Sequence, residues 1–226
     1  MFMPETQTSY TIAQPTILRL DALRNSNLRD TPFPFLVIEN FLNEHYLEEI
    51  LKDFPEINFR GSFPLNELKY GGAFENLIEE LEGDAFRSAI EEKFDCNLGN
   101  CPTMITARGI TTDFDGQIHT DAKWKVITVL LYFNSAWESQ EGRLRILNDR
   151  DNLEDFAVEI PPTAGTCLIF KVTDNCWHGH KPFVGKRKAI QLNYVKDEAT
   201  LKKQMFVHNL SFKFKNLKKR FLKGKN

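Results

Sequence analysis

No stretch of about eighteen uncharged apolar residues occurs in the chain, so the sequence offers no candidate for a membrane-spanning helix. The opening residues, MFMPETQTSYTIAQ, have neither the cationic start nor the apolar run of a secretory signal, and the expected location is cytoplasmic. Cysteine is scarce. Cys96, Cys101, Cys167 and Cys176 form no C-x-x-C pair and no dense framework, which excludes a small disulfide-stapled domain and fits reduced thiols. There is no internal repeat, no low-complexity block and no Gly/Ser linker. H-E-x-x-H is absent too, which weighs against a zinc hydrolase. Acid is missing from one region only: residues 202–226 carry nine Lys or Arg and no Asp or Glu. Taking those nine from 29 leaves 20 basic residues against 31 acidic ones in the body, which the formal net charge of -2 conceals.

The composition is that of a globular protein, 42% hydrophobic with 19 Phe for a core, and 226 residues fit one domain. The expected organisation is a single domain over 1–226: a mainly helical lead-in over 1–100, a β core over 101–196 and a basic tail over 197–226. Up to Pro34 the chain reads as irregular. A short apolar strand then reaches Val37 and Ile38, and Asn43 is placed to cap a helix carrying Tyr46, Leu47, Ile50, Leu51 and Phe54 until Pro55 stops it. A second helical region covers Phe74 to Leu81, pauses at Gly83, and restarts on Asp84 as a potential cap, with Phe86, Ile90 and Phe94 on one side. After Pro102 come MITARGI, VITVLLYFN, RLRIL, FAVEI, TCLIF and AIQLNYV, short β-rich runs broken by Gly, Asp, Asn and Pro. Strands in that number without intervening helices pair antiparallel, and burying a face of each requires two facing sheets or a barrel. The expected class is mainly β with flanking helices (α+β), built on a jelly-roll core.

His119 and Asp121 stand two apart just before a strong strand, so an extended backbone points both to one side, where both can hold one ion. Alone, H-x-D is weak, and a polar surface turn is its ordinary reading. Trp177-His178-Gly179-His180 offers a third donor after a gap suited to several antiparallel strands, and two imidazoles with one carboxylate form the facial set that leaves positions open on iron(II). Arg187 opens the last strand on the same face as Ala189, Gln191 and Asn193. There a guanidinium can hold a carboxylate by two parallel hydrogen bonds, although a surface Arg in a basic turn reads similarly.

Together these residues resemble the iron(II)/2-oxoglutarate-dependent oxygenases, within them the prolyl-hydroxylase-like branch. The likeness runs from about 104 to 195. It rests on His119-Thr-Asp121, on VITVLLYFN ending in Tyr-x-Asn, on EGRLRIL (141–147), on PPTAGTCLIF (161–170) and on WHGHKPFVGKR (177–187). The resemblance implies a double-stranded β-helix, iron on His119, Asp121 and His178, and 2-oxoglutarate held by Arg187 and Tyr132, with Thr128, Gln191 and Asn193 lining the pocket. It implies Fe(II), 2-oxoglutarate and O2 as the reaction's requirements, with ascorbate as an optional reductant. The implied reaction is hydroxylation of an unactivated C–H with release of succinate and CO2. The substrate is left open between a small molecule, a glycan precursor and a peptide such as a prolyl residue, and a jelly-roll binder without turnover stands as the non-enzymatic alternative.

Two departures from the family pattern bear on the site: Glu141-Gly142-Arg143 lacks a second glycine, and Arg187 follows His178 by nine residues where ten is commoner. His180 therefore competes with His178 as ligand. His178 is preferred, leaving His180 as a substrate-facing or solvated loop histidine. The tail mixes Phe206, Leu210, Leu217 and Phe221 with lysines. It is expected to be a helix packing Phe206, Leu210 and Leu217 on the barrel, with peripheral membrane contact as the competing reading and no nucleic-acid partner expected.

Overall fold

The computed structural model describes residues 16–223, with side chains as far as Leu210. The first fifteen residues of the lead-in and the side chains of Leu217 and Phe221 lie outside the described residues. Within them, no helix is long and apolar enough to cross a membrane.

Chain order is α1 (Leu20–Asn25), β1 (Phe35–Ile38), α2 (Glu44–Asp53), β2 (Phe63–Pro64), α3 (Gly72–Glu82), α4 (Asp84–Phe94), β3 (Thr103–Thr111), β4 (Lys125–Tyr132), β5 (Leu144–Leu147), β6 (Phe156–Ile160), β7 (Cys167–Lys171), β8 (His178–Gly179), β9 (Gly185–Val195) and α5 (Glu198–Lys223). The strands form a six-stranded sheet, β1-β7-β4-β9-β3-β2, and a three-stranded sheet, β6-β5-β8. Every pairing of these strands is antiparallel, and the mainly β, two-sheet architecture expected of a jelly roll is present.

Why the strands of the large sheet read as nearly unbroken apolar runs follows from their position. Alternate residues face opposite sides, and here both sides are covered. In β7, Cys167 and Ile169 meet the helices, joining Leu77, Leu81, Phe86 and Ile90 in one cluster, whereas Leu168 and Phe170 face the small sheet and meet Leu144, Ile146 and Ile160. β4 divides in the same way, with Ile127, Val129 and Leu131 towards the helices. Tyr132 stands on the inter-sheet side. The helices thus cover one face, and the space between the sheets is left for a site.

Local signals behave as the sequence predicts at α2, where the Asn43 side chain accepts a hydrogen bond from the His45 N–H at 3.1 Å and the helix ends before Pro55. Elsewhere the structure differs. A short helix, α1, occupies the supposedly irregular lead-in. The cap of α4 is Gly83, with Asp84 the first helical residue and no side-chain cap bond. β9 starts at Gly185, so Arg187 sits inside a strand and not at its edge.

The expectation for the tail is corrected at Phe206 and Leu210, which are 69% and 44% exposed and do not pack on the barrel. The partly buried face of α5 is Leu201, Gln204, Met205 and His208, turned towards β2, β3 and β9. Asp197, accepting the Thr200 N–H at 2.7 Å, sets where the helix begins. From Leu201, a turn of about 100° per residue carries Phe206 and Leu210 to the far side.

Candidate metal centre

His119 ends the loop from β3, and His178 opens β8. Their backbones are clipped together: the His119 N–H donates to the His178 carbonyl and the His178 N–H to the His119 carbonyl, each at 3.0 Å. This reciprocal pair brings the imidazole centroids to 4.3 Å. Each ring is oriented in the same manner, with Nδ1 at 2.8 Å from the carbonyl two residues earlier, Gln117 for His119 and Cys176 for His178. A carbonyl only accepts, so Nδ1 carries the proton in both rings and the lone pair of Nε2 is free for a cation.

Asp121 completes the group. Donor atoms of His119, Asp121 and His178 all lie within 4.8 Å of one another. Its carboxylate is positioned by three neighbours: Lys125 Nζ at 2.8 Å on Oδ1, and Thr128 Oγ1 at 2.5 Å with Gln191 Nε2 at 3.4 Å on Oδ2. Burial raises the carboxyl's pKa, but Lys125, His178 and the bonds from Lys125 and Thr128 outweigh it and hold the group below the usual carboxylate range. A carboxylate held towards its ionised form, beside two imidazoles that each turn Nε2 away from a carbonyl-bound Nδ1, is the donor set of an open divalent site, with the hardness and geometry suited to iron(II).

The two histidines of the triad line a cleft of about 110 Å³ between the sheets, together with Tyr132, Arg187, Gln191, His180, Arg108 and Leu130. Arg187 is only 5% exposed. Its Nε donates to the Gly142 carbonyl at 2.7 Å, and Nη2 lies 3.4 Å from the Tyr132 hydroxyl. Among the described residues no carboxylate forms an ion pair with it, although pairs are found for Arg108 and Arg145. A buried, uncompensated guanidinium is costly unless an anion joins it, and a dicarboxylate in the cleft supplies one. The residues present therefore fit both the metal and the 2-oxo acid.

Of the two competing histidines, the structure brings His178 and not His180 to the other donors. His180 is buried, with Nδ1 at 2.8 Å from the Lys181 carbonyl, and it packs on Gly116 so closely that a Cβ there would lie 2.5 Å from Nδ1. Thr128 is not on the cleft lining; it is fully buried and binds Asp121 instead. Asn193 stands behind it, accepting from Thr128 and Gln191 at 3.3 Å each. Sequence reasoning missed Lys125 and the carbonyls of Cys176 and Gly142. Lys125 was detectable, as the one cation beside an apolar strand and four residues from a candidate ligand. The carbonyls carry no side-chain signal. Gly142, the glycine retained in the variant turn, has φ +73, and a Cβ on it would meet Trp137 at 2.7 Å.

Two expectations follow here. Thr128→Val keeps the shape but removes the bond that fixes Asp121, and iron affinity is expected to fall about ten- to hundredfold in a metal titration. Burial first, then the neighbouring His119, pushes His178 down from 6.5 to about 4, and burial with Arg187 does the same to His180. In the unfolded chain both take up protons near 6.5, so the unfolded state binds more protons between 6.5 and 4. The stabilising contribution of the neutral rings is complete above about 6.5 and is lost as pH falls through about 4. Thermal unfolding of metal-free protein should show that decline, and a flat profile across the window would contradict the burial of both rings.

Residues 107–195 match the model described as the 2OG-Fe(II) oxygenase superfamily. In fold the chain is similar to a prolyl-4-hydroxylase of Pseudomonas putida, at 15% identity and a TM-score of 0.50, covering 78% of this chain and 90% of that one. It is similar also to a prolyl 4-hydroxylase of Phytophthora capsici, at 14% identity and a TM-score of 0.51, covering 84% and 68%. No curated protein sequence matches the chain. The matched segment contains all three donor residues, Tyr132 and Arg187, and the fold that carries it is shared with these two hydroxylases.

Proposed function

We propose that the protein is an iron(II)- and 2-oxoglutarate-dependent dioxygenase that hydroxylates an unactivated C–H bond, with His119, Asp121 and His178 holding the metal. Iron(II) with 2-oxoglutarate supplies the oxidising power: the 2-oxo acid loses CO2 to become succinate, which keeps one atom of O2 while the other enters the substrate. The chain's own residues place and insulate that chemistry. Arg187 binds the distal carboxylate of the cosubstrate with the Tyr132 hydroxyl beside it. Lys125, Thr128 and Gln191 keep Asp121 ionised and oriented. Leu130, Leu144 and Ala189 give the cleft its apolar wall, which excludes water from the reacting centre.

The observation that carries this reading is the pairing of the pre-oriented triad with a buried, anion-less Arg187 across one cleft. Asp121 favours hydroxylation over halogenation, because a carboxylate fills the place a halide ion would need. Ascorbate is expected to sustain turnover by keeping the metal ferrous, and the cytoplasm to be the working compartment. Succinate formation that requires both Fe(II) and 2-oxoglutarate is the test. Iron binding without any succinate, coupled or uncoupled, would leave only the non-catalytic binder.

A further inference from the structure

We propose that the cleft contains a second anion seat, centred on Arg108, and that the substrate is a small molecule presenting a carboxylate or phosphate to it. This rests on the dioxygenase reading above and names the substrate class for the same cleft.

Arg108 is placed by the sheet. It pairs with Ala189 across β3 and β9, and Ala189 pairs with Tyr132 across β9 and β4. The three residues form a row on the cleft side, with Arg187 two positions before Ala189. Arg108 lines the cleft together with His119, His178 and Arg187, and its side chain is 32% exposed. One terminal nitrogen donates to Asp115 Oδ1 at 3.2 Å and the other to Ser62 Oγ at 3.1 Å. Those bonds hold the plane of the guanidinium from behind while using only part of its N–H fork.

The charges do not balance within the protein. Asp115 is shared, with Arg108 at 3.2 Å on one oxygen and Arg60 at 3.6 Å on the other. That second oxygen also accepts from the Thr112 N–H and hydroxyl at 2.9 and 3.1 Å. One carboxylate facing two guanidiniums leaves a positive charge over. Arg187 adds another, and among the described residues no Asp or Glu lines the cleft. Burial first, opposed by Asp115 and reinforced by Arg187, lowers the pKa of Arg108, as expected of two cations sharing one space. Bound 2-oxoglutarate neutralises Arg187 with its distal carboxylate and turns the other towards the metal. The charge around Arg108 then remains, beside the open side of His119, for the molecule being oxidised.

The experiment uses full-length protein loaded with Mn(II), a redox-inert stand-in, and saturated with 2-oxoglutarate at constant ionic strength. Methyl phosphate and acetate are titrated separately, with calorimetry as readout. Saturable binding of at least one probe is expected, and the stronger probe tells phosphate from carboxylate. Arg108→Gln should weaken it about tenfold or more, as for loss of a hydrogen bond to a charged group. Arg108→Lys should retain part of it, while 2-oxoglutarate affinity stays within about twofold in both variants, which also reports that they are folded. No binding by wild type, or equal binding by Arg108→Gln, overturns the seat. A large loss of 2-oxoglutarate affinity in Arg108→Gln overturns it too, by assigning Arg108 to the cosubstrate. Failure of 2-oxoglutarate to bind the Mn(II)-loaded wild type sinks the dioxygenase reading itself, and the seat with it.

Discussion

His119→Ala is expected to abolish 2-oxoglutarate-driven succinate formation and to lower iron affinity by more than about a hundredfold, beyond what loss of a merely supporting contact costs. The substitution is informative because of where the ring stands. His119 is exposed, so its removal opens no cavity in the core. Its link to His178 runs through backbone N–H and carbonyl groups that alanine keeps. The folded frame should survive, and the loss is then attributable to the missing donor. His180 offers no substitute, being turned to the Lys181 carbonyl and packed on Gly116. Metal content after dialysis and unfolding temperature check this together: near wild-type iron content with intact stability would remove His119 from the ligand set.

Arg187→Ala is expected to spare iron binding while raising the 2-oxoglutarate requirement at least about thirtyfold. Truncating one member of a buried, hydrogen-bonded charge pair costs roughly 2–5 kcal/mol, and each 1.4 kcal/mol or so is a factor of ten. Arg187→Lys should recover little, because an ammonium cannot reproduce the planar fork that spans Gly142, Tyr132 and a carboxylate. The wild-type guanidinium has no acid partner among the described residues, so removing this uncompensated buried charge should leave the metal-free protein as stable or more so. An unchanged 2-oxoglutarate requirement with normal iron content would contradict the assigned role.

The six longer strands after Pro102 were legible because their signal is local. β-branched and aromatic runs bounded by Gly, Asp and Pro identify themselves without reference to their partners. The start of β9 was not, since Gly185-Lys-Arg-Lys reads as a turn and becomes strand only through pairing with β3 and β4. β2 and β8 are two residues each and carry no periodicity at all. At the site, residue types and their order were visible from His119 to Arg187. What orients them was not, because Cys176 and Gly142 act through carbonyls that any residue would supply. Thr128 was misplaced for a related reason: alternation puts it on the inter-sheet side of β4 with Tyr132, but there it is fully buried and its hydroxyl is taken up by Asp121. In α5 the apolar residues were evident, yet which of them face inward depends on the phase at which the helix leaves β9.

The reciprocal amide clip between residues 119 and 178 means that the two halves of the donor set are joined before any cation arrives. Loading and stripping should accordingly be reversible at room temperature, with little change in far-ultraviolet circular dichroism. Side chains at the two clipped positions can then be exchanged, by natural drift or by design, to suit a different ion without rebuilding the scaffold that presents them.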